Sequence, residues 1–208
     1  MNEAESMVFI VDDDESVRKA LARLIKSVGL KVETFSSATE FLKSDPYIGP
    51  ACLVLDIRMP GLSGLDLQSA LTKSERTLSI VFITGHGNIP MSVQAIKSGA
   101  VDFLEKPFEE QTLLDAVHLA IEKDRQAKDN LAELRVINER VKSLTLRERE
   151  VFALVVTGMM NKEIASEMNI SEKTIKVHRG RVMHKMQAES LADLVRLAEK
   201  VDIKYPKD

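Results

Sequence analysis

The length and composition of the chain are those of a soluble globular protein. It has 208 residues, of which 44% are apolar and 29% are charged, enough for one large domain or two small ones. No apolar stretch approaches the roughly 18 residues of a membrane span, and the first residues lack the pattern of a secretion signal. We therefore expect a cytoplasmic protein without a membrane partner. The single cysteine, Cys52, excludes a disulfide framework and a cysteine-based metal site.

Charge is unevenly distributed along the chain. Residues 1–125 carry 13 Lys and Arg against 19 Asp and Glu, whereas residues 143–208 carry 12 against 10. The short segment between them, residues 126–142, carries four basic and three acidic residues. This asymmetry favours two modules with different partners. We therefore expect a first domain over 1–125, a linker over 126–142 and a second domain over 143–208.

Five short apolar runs, rich in β-branched residues, predict strands in the first domain. They span residues 8–11, 31–35, 52–55, 79–84 and 101–104. Apolar residues at helical spacing lie between these runs, over 17–28, 65–71 and 91–96. Because strand and helix alternate with short connections, the sequence predicts a parallel sheet covered by helices on both faces.

Polar residues follow four of the predicted strands. They are Asp12 and Asp13 after strand 1, Asp56 after strand 3, Thr84 after strand 4 and Lys106 after strand 5. Each alone is typical of a helix cap or a turn. Together they place three carboxylates, a hydroxyl and an ammonium at one edge of the sheet. In the flavodoxin-like strand order 2-1-3-4-5, this edge carries the ligand crevice, between strands 1 and 3.

The types of these side chains indicate phosphoryl transfer. Neighbouring carboxylates raise one another's pKa values unless a cation holds them ionised, and oxygen ligands favour Mg²⁺. One aspartate oxygen then stays free as a nucleophile, and Asp56 is the natural candidate. Lys106 can neutralise a phosphoryl oxygen, and Thr84 can hydrogen-bond another.

Four motifs in this region resemble the receiver domain of bacterial two-component response regulators, and the residues within them are most similar to the FixJ-type group. They are VDDD (11–14), LDIRMPGLSG (55–64), ITGHG (83–87) and EKPF (105–108). The resemblance covers about residues 6–125. It implies a flavodoxin-like α/β fold with a five-stranded parallel sheet, and a sensor histidine kinase as the partner that phosphorylates Asp56.

The resemblance also implies roles for individual residues of the acidic site. Mg²⁺ would be bound by Asp13, Asp56 and the main-chain carbonyl of Arg58, with Asp12 supporting it through water. Lys106 would contact the phosphoryl group. The phosphatases that use an aspartate nucleophile carry a second aspartate two residues later, and here that position is Arg58.

A pair of residues falls on the conformational switch of the family. Thr84 would move toward the phosphoryl group while the ring of Phe103 turns inward. Many receivers have tyrosine at the second position, so packing alone would set the two positions of the Phe103 ring. The resemblance also implies a cis peptide before Pro107.

A seven-residue apolar pattern predicts a long helix that leads out of the first domain. It consists of Leu113, Val117, Ala120, Ala127, Leu131, Leu134 and Val141. Asp124 and Asn138 interrupt it. The pattern fits a coiled coil that transmits receiver pairing, and equally a solvated spacer within one chain.

Capping residues predict a small all-α second domain. The sequence TLRE, beginning at Thr145, is a capping box for a helix that extends to Gly158. Asn161 is predicted to cap a short helix, and Ser171 a longer one that follows. This order and spacing are typical of a helix-turn-helix unit.

The longer of these helices has two different faces. Ile175, Val182 and Met186 lie on an apolar side. Around the opposite side lie Lys173, Thr174, Lys176, Val177, Gly180, Arg181 and His184. A lone helix of this kind is usually just solvated, but the preceding short helix and turn favour recognition of the DNA major groove. Lys162 would then contact phosphate.

Residues of about 143–205 resemble the LuxR/NarL-type DNA-binding domain, which implies double-stranded promoter DNA as a partner. The apolar pattern of Leu191, Leu194, Val195 and Ala198 resembles the fourth helix of that family, which either pairs two domains on DNA or seals the core. Gly180 stands where some relatives carry a base-contacting lysine, so their DNA sequence preference does not transfer.

The sequence therefore predicts a phosphorylation-controlled transcription regulator, not an enzyme apart from Mg²⁺-dependent self-phosphorylation and dephosphorylation at Asp56. Phosphorylation would pair two receivers near the fourth helix and fifth strand, and the resulting homodimer would bind a two-fold promoter site, with RNA polymerase as a further candidate partner. Two alternatives stay open. One is an aspartyl-phosphate phosphatase acting on a small molecule, and the other is a constitutive DNA binder with an unphosphorylated receiver.

Overall fold

The chain forms two compact units, Met1–Asp129 and Asn130–Asp208. The computed structural model describes residues 5–74, 76, 78–85, 89–201 and 203. Residues 86 and 87 of the predicted ITGHG motif lie outside the described residues, as do residues 1–4 of the predicted first domain and residues 202 and 204–208 of the second.

A five-stranded parallel sheet forms the centre of the first unit, in the order β2-β1-β3-β4-β5. The strands are β1 (Met7–Val11), β2 (Lys31–Phe35), β3 (Ala51–Asp56), β4 (Ser79–Thr84) and β5 (Asp102–Glu105). The predicted strand order is confirmed. All six residues of β3 are buried, because a central strand of a parallel sheet has helices over both of its faces.

Helices connect the strands of this sheet. They are α1 (Glu15–Ser27), α2 (Ala38–Lys43), α3 (Gly64–Lys73) and α4 (Ile89–Lys97), followed by α5 (Glu110–Lys142). The first three begin where the side chains of Asp14, Ser37 and Ser63 accept hydrogen bonds from backbone N–H groups of the first turn. Helix α2 is not predicted from the sequence, because its six residues are too few to display a helical period.

The long helix α5 has 33 residues and belongs to both units. The segment predicted as a linker helix is therefore helical. Asp124, which interrupts the apolar pattern, is buried and accepts a hydrogen bond from the backbone N–H of Ala51 at 2.8 Å. Its carboxylate also pairs with Lys128 at 2.7 Å. No helix of the described residues is long and apolar enough to cross a membrane.

The second unit adds four short helices to the end of α5. They are α6 (Leu146–Val155), α7 (Asn161–Glu167), α8 (Glu172–Met186) and α9 (Leu191–Lys200). The predicted capping box at Thr145 is confirmed, because its hydroxyl accepts from the Glu148 N–H and its own N–H donates to the Glu148 carboxylate. The helix ends at Val155, three residues earlier than predicted.

The prediction that Asn161 caps α7 is wrong. Asn161 is the first residue of the helix and Met160 occupies the cap position, where its N–H donates to the Glu163 carboxylate at 2.6 Å. The Asn161 side chain instead accepts a hydrogen bond from Arg179 at 3.1 Å. Ser171 does cap α8, as predicted, and accepts from the Thr174 N–H at 3.1 Å.

Three apolar clusters stabilise these elements. One lies on each face of the sheet, and the third forms the core of the second unit. The third cluster contains the apolar side of α8 together with Leu194 and Ala198 of α9. It also contains Ile137 from α5, which is 1% exposed. The last turns of α5 are thus part of the second core.

Candidate functional site

The carboxyl edge of the sheet brings Asp12, Asp56 and Lys106 into direct contact. Lys106 Nζ lies 2.8 Å from Asp12 Oδ2 and 3.0 Å from Asp56 Oδ1. The aspartate side chains are only 2% and 8% exposed, respectively. We call these three residues the carboxylate site. It arises because β1, β3 and β5 all end at this edge, so residues far apart in the sequence meet there.

Both oxygens of the Asp56 carboxylate accept hydrogen bonds from the protein. Oδ1 accepts from Lys106, and Oδ2 accepts from the backbone N–H of Arg58 at 2.8 Å. Burial raises the pKa of Asp56 above its ordinary value, although Lys106 and the Arg58 N–H oppose the rise. Burial by itself would lower the pKa of Lys106, but its hydrogen bonds to Asp12 and Asp56 raise it overall. Lys106 is therefore a cation at neutral pH.

Local hydrogen bonds fix the position of Asp12. Its Oδ1 accepts from the Asp14 N–H at 2.9 Å, and its carbonyl accepts from Arg18 Nη1 at 2.7 Å. Asp14 in turn accepts from the N–H groups of Ser16 and Val17 as the cap of α1. Neither Asp14 nor Arg18 is among the site residues predicted from the sequence. The cap pattern of an aspartate before a helix could have revealed Asp14, but nothing local reveals Arg18.

Asp13 directly follows Asp12 in the chain and Arg58 comes two residues after Asp56, and both are exposed. Within the described part of the chain, no three or more His, Cys, Asp and Glu side chains meet closely enough to form a metal-binding group. The donor chemistry nevertheless fits Mg²⁺, which usually binds one or two carboxylates and completes its shell with water and phosphate oxygens. Asp12 and Asp56 supply such carboxylates.

The predicted switch residues lie on the two neighbouring strands β4 and β5. Thr84, the last residue of β4, is fully buried. Phe103 is half-buried and packs against the cluster that contains Phe82, its partner in the sheet register. The backbone N–H of Lys106 donates to the Thr84 carbonyl at 2.8 Å, and the peptide between Lys106 and Pro107 is cis.

A close approach of backbones at Gly64 holds the loop after β3 against the site. A Cβ atom at this position would lie 2.4 Å from the carbonyl oxygen of Asp56 and 3.0 Å from the Cα of Ile57. The Gly64 N–H donates to the Ile57 carbonyl at 3.0 Å. Only glycine permits α3 to begin so close to Asp56. The sequence pattern alone does not predict this requirement.

The second candidate site is the outer surface of α8. All seven residues predicted for it are exposed: Lys173, Thr174, Lys176, Val177, Gly180, Arg181 and His184. The opposite side consists of Ile175, Val182 and Met186, each 0% exposed, as the helical spacing predicts. Lys162, at the start of α7, is also exposed.

Comparison with protein families identifies both units. The model of the response regulator receiver domain matches residues 8–118, and the model of the LuxR family of bacterial regulatory proteins matches residues 142–198. The chain belongs to the response regulators with a LuxR-type DNA-binding domain. Proteins with this pair of domains are generally transcription regulators rather than enzymes, and their receiver implies a sensor kinase as partner.

Several relatives of this response regulator match it over nearly its whole length. Nodulation protein W of Bradyrhizobium diazoefficiens is 49% identical over 96% of this chain and 88% of its own. Response regulator protein TmoT of Ectopseudomonas mendocina is 46% identical over 97% and 91%. Transcriptional regulatory protein FixJ of Bradyrhizobium diazoefficiens is 44% identical over 92% and 93%. The predicted FixJ-type family is therefore confirmed.

Solved structures support the same assignment. The response regulator StyR is 48% identical, covers 95% of this chain and 100% of its own, and superposes with a TM-score of 0.84. Full-length FixJ from B. japonicum is 42% identical, covers 94% and 97%, and has a TM-score of 0.57. The fold class and the function of transcriptional response regulator both follow from these similarities.

Proposed function

We propose that phosphorylation of Asp56 by a sensor histidine kinase controls how this response regulator binds promoter DNA. The carboxylate site carries the proposal, because it presents a buried aspartate that is already paired with a lysine at the carboxyl edge of the sheet. Residues 1–125 would act as the receiver and residues 143–208 as the DNA-binding domain, with 126–142 as the linker.

The transfer would be an in-line displacement at phosphorus. An oxygen of Asp56 attacks the phosphorus of the phosphohistidine, a P–O bond forms, the P–N bond breaks, and its electron pair leaves with the imidazole. The ammonium of Lys106 lies 3.0 Å from Asp56 Oδ1 and would stabilise the negative charge of the phosphoryl oxygens during the transfer. The hydroxyl of Thr84, at the end of the adjacent strand, would donate a hydrogen bond to the same phosphoryl group.

Mg²⁺ would be held by Asp13, Asp56 and the Arg58 carbonyl, with Asp12 supporting it through water, and it would offset the charge that the carboxylates and the phosphoryl group bring together. Self-dephosphorylation would reverse the modification through attack of water on phosphorus. Both reactions concern Asp56 of the same chain, so neither makes the protein an enzyme in the ordinary sense.

The effect on DNA binding would pass through Thr84 and Phe103. Movement of the Thr84 side chain toward the phosphoryl group would leave space into which the half-buried Phe103 ring could turn. The nearby helix α4 exposes Val93 and Ile96, at 44% and 46%. These apolar side chains support pairing of two receivers through the α4 and β5 face. RNA polymerase is a further candidate partner of the DNA-bound dimer.

On DNA, the outer surface of α8 would enter the major groove. Lys176, Val177 and Arg181 lie near its centre and would contact base edges, while Lys162 would contact a phosphate. The remaining members of the surface are Lys173, Thr174, Gly180 and His184. The absence of a side chain at Gly180 would allow close approach of the helix backbone to the bases.

Labelling with a small phosphodonor tests the chemistry. In Mg²⁺ and acetyl phosphate, the full chain should form an acid-stable, base-labile adduct, and Asp56→Asn should abolish it. Asp129→Asn, which changes an exposed carboxylate, should label like the unmodified protein. Undiminished labelling of the Asp56→Asn protein would exclude Asp56 as the acceptor.

Sedimentation and DNA binding test the regulatory half of the proposal. A phosphate mimic should convert the full chain from monomer to dimer and tighten its binding to DNA selected in vitro. Asp56→Asn should show neither change. Equal DNA affinity with and without the phosphate mimic would support the constitutive alternative instead.

A further inference from the structure

The C-terminal end of α8 is held by a residue of the long helix α5. Arg140 Nη1 donates to the carbonyl of Met186 at 3.1 Å, and Arg140 Nη2 donates to the Gln187 side-chain oxygen at 2.5 Å. Carbonyl groups in the last turn of a helix have no partner within the helix. A cation at this end also interacts favourably with the helix dipole. Arg140 therefore both provides a donor for a terminal carbonyl of α8 and places a positive charge at the negative end of the helix dipole.

Gln187 gives this contact a structural role. It terminates α8 in the left-handed conformation, with φ of 54°, where glycine is the usual residue. A side chain in this conformation costs about 1 kcal/mol or more. The hydrogen bond from Arg140 offsets part of that cost by fixing the Gln187 side chain. The point at which the helix ends thus depends on a residue 47 positions earlier in the chain.

A second tie lies beside the first. Lys185 Nζ donates to the carbonyl of Ser143 at 3.0 Å and to the Glu148 carboxylate at 2.6 Å. One turn before Arg140, Ile137 is buried in the same apolar cluster as Val182 and Met186. The end of α5 consequently contacts both the apolar side of α8 and its last turn.

We propose that Arg140 is a positioning residue for DNA recognition: it fixes the end of α8, and hence the presentation of the outer surface of α8, without touching DNA. The inference rests on the proposed role of α8 as the DNA-reading helix. The guanidinium of Arg140 donates to atoms of Met186 and Gln187 at the end of the helix, and neither residue belongs to the seven of the outer surface.

Two variants of the full chain test this role. Arg140→Met keeps much of the aliphatic stem of the side chain but removes its donors. Arg135→Met is the control, because Arg135 is exposed and its side chain has no hydrogen bond or ion pair among the described residues. Arg140→Met should speed amide hydrogen exchange at Gln187 and Ala188 about tenfold or more and weaken binding to selected DNA about tenfold, with no such effect of Arg135→Met.

The salt dependence separates positioning from direct contact. Loss of a phosphate contact lowers the log–log slope of affinity against salt by about one. Arg140→Met should leave that slope unchanged and should weaken specific binding more than binding to random DNA. A lower slope with normal amide exchange would overturn the inference and make Arg140 a phosphate contact. Unchanged exchange and unchanged affinity would overturn it too.

A double-mutant cycle with Gln187→Gly guards against simple unfolding. Glycine adopts the left-handed conformation without strain and has no side chain for Arg140 to bind. The exchange effect of Arg140→Met should therefore be several-fold smaller in the Gln187→Gly background. Equal effects in both backgrounds would contradict the inference. If Lys176→Ala weakens DNA binding but Arg140→Met does not, only the inference fails; if neither does, the role proposed for α8 fails as well.

Discussion

At the carboxyl edge of the sheet, Asp12 and Asp56 are almost inaccessible and share the ammonium of Lys106. On α8, by contrast, the seven candidate DNA-contacting residues are all exposed, and Lys176 forms an ion pair with Glu172 of the same helix. The carboxylates of the first site are buried and paired with Lys106, so a change there affects stability and chemistry together. The side chains of the second site are exposed on the surface of a helix, so replacing them can change DNA binding without changing stability.

The largest expected effect comes from removing the shared cation. Lys106→Met leaves two buried carboxylates without a counter-charge, which should lower the free energy of unfolding by about 3–5 kcal/mol. Denaturant unfolding at pH 7 measures this. Lys123→Met removes an exposed ammonium from α5 and should cost less than about 0.5 kcal/mol. Equal losses of unfolding free energy in the two variants would show that Lys106 does not stabilise the two buried carboxylates.

Two glycines sharpen the comparison because the same substitution should act in opposite directions. Gly64→Ala forces a Cβ to within 2.4 Å of the Asp56 carbonyl and should destabilise the first unit by about 1–3 kcal/mol. Gly180→Ala meets no atom within 4 Å and should stabilise α8 by about 1 kcal/mol. Thermal unfolding of the two variants checks both signs. A stabilised Gly64→Ala protein would contradict the close approach.

The basic side chains on the outer surface of α8 should affect DNA affinity and leave stability almost unchanged. Lys176→Ala or Arg181→Ala should weaken DNA binding by about 1–3 kcal/mol and relax specificity at one base pair, if each side chain contacts a base. The free energy of unfolding should change by less than about 0.5 kcal/mol. Lys162→Ala is the comparison, since it should weaken binding to all sequences equally and reduce the salt slope by about one.

A further effect, which depends on pH, concerns the buried carboxylate of Glu148 in the second unit. The hydrogen bond from Lys185, with that from the Thr145 N–H, lowers the pKa of Glu148 from its ordinary value of 4.5. Because the folded pKa is the lower one, the contribution of Glu148 to stability is present above pH 4.5 and is lost as the pH falls below it.

Glu148→Gln should therefore cost about 1–2 kcal/mol at pH 7 and progressively less in acid. Unfolding measured between pH 7 and pH 3 gives the difference. Glu150→Gln, at an ion pair with an exposed arginine, should show little change across this range. A Glu148→Gln penalty that is independent of pH would mean that the charge of Glu148 contributes nothing.

Residues that meet through the regular geometry of the sheet could be predicted from the sequence. The carboxyl ends of parallel strands converge, so Asp12, Asp56 and Lys106 were placed together from strand positions alone. Contacts outside that geometry could not be predicted. Asn161 is a residue type that often caps helices, yet its side chain accepts a hydrogen bond from Arg179, 18 residues later. Local propensity contains no information about such a distant donor.

Asp124 and Gly64 illustrate the same limit. The sequence shows Asp124 only as an interruption of an apolar pattern, whereas its partner, the Ala51 N–H, lies 73 residues away. The need for glycine at position 64 arises from the Asp56 carbonyl, which only the folded loop brings near. In each case the residue type is explained by an atom whose position depends on the complete fold.

The 33 residues of α5 also determine where this protein can be divided. Leu113 and Val117 belong to a core of the first unit, while Ile137 belongs to the core of the second. A chimera that joins a foreign receiver at residue 143 would delete Ile137 and Arg140 from the module it was meant to preserve. A junction at residue 130, inside the helix, would retain both. Receiver exchange among such regulators is thus a question of helical phase as well as of domain choice.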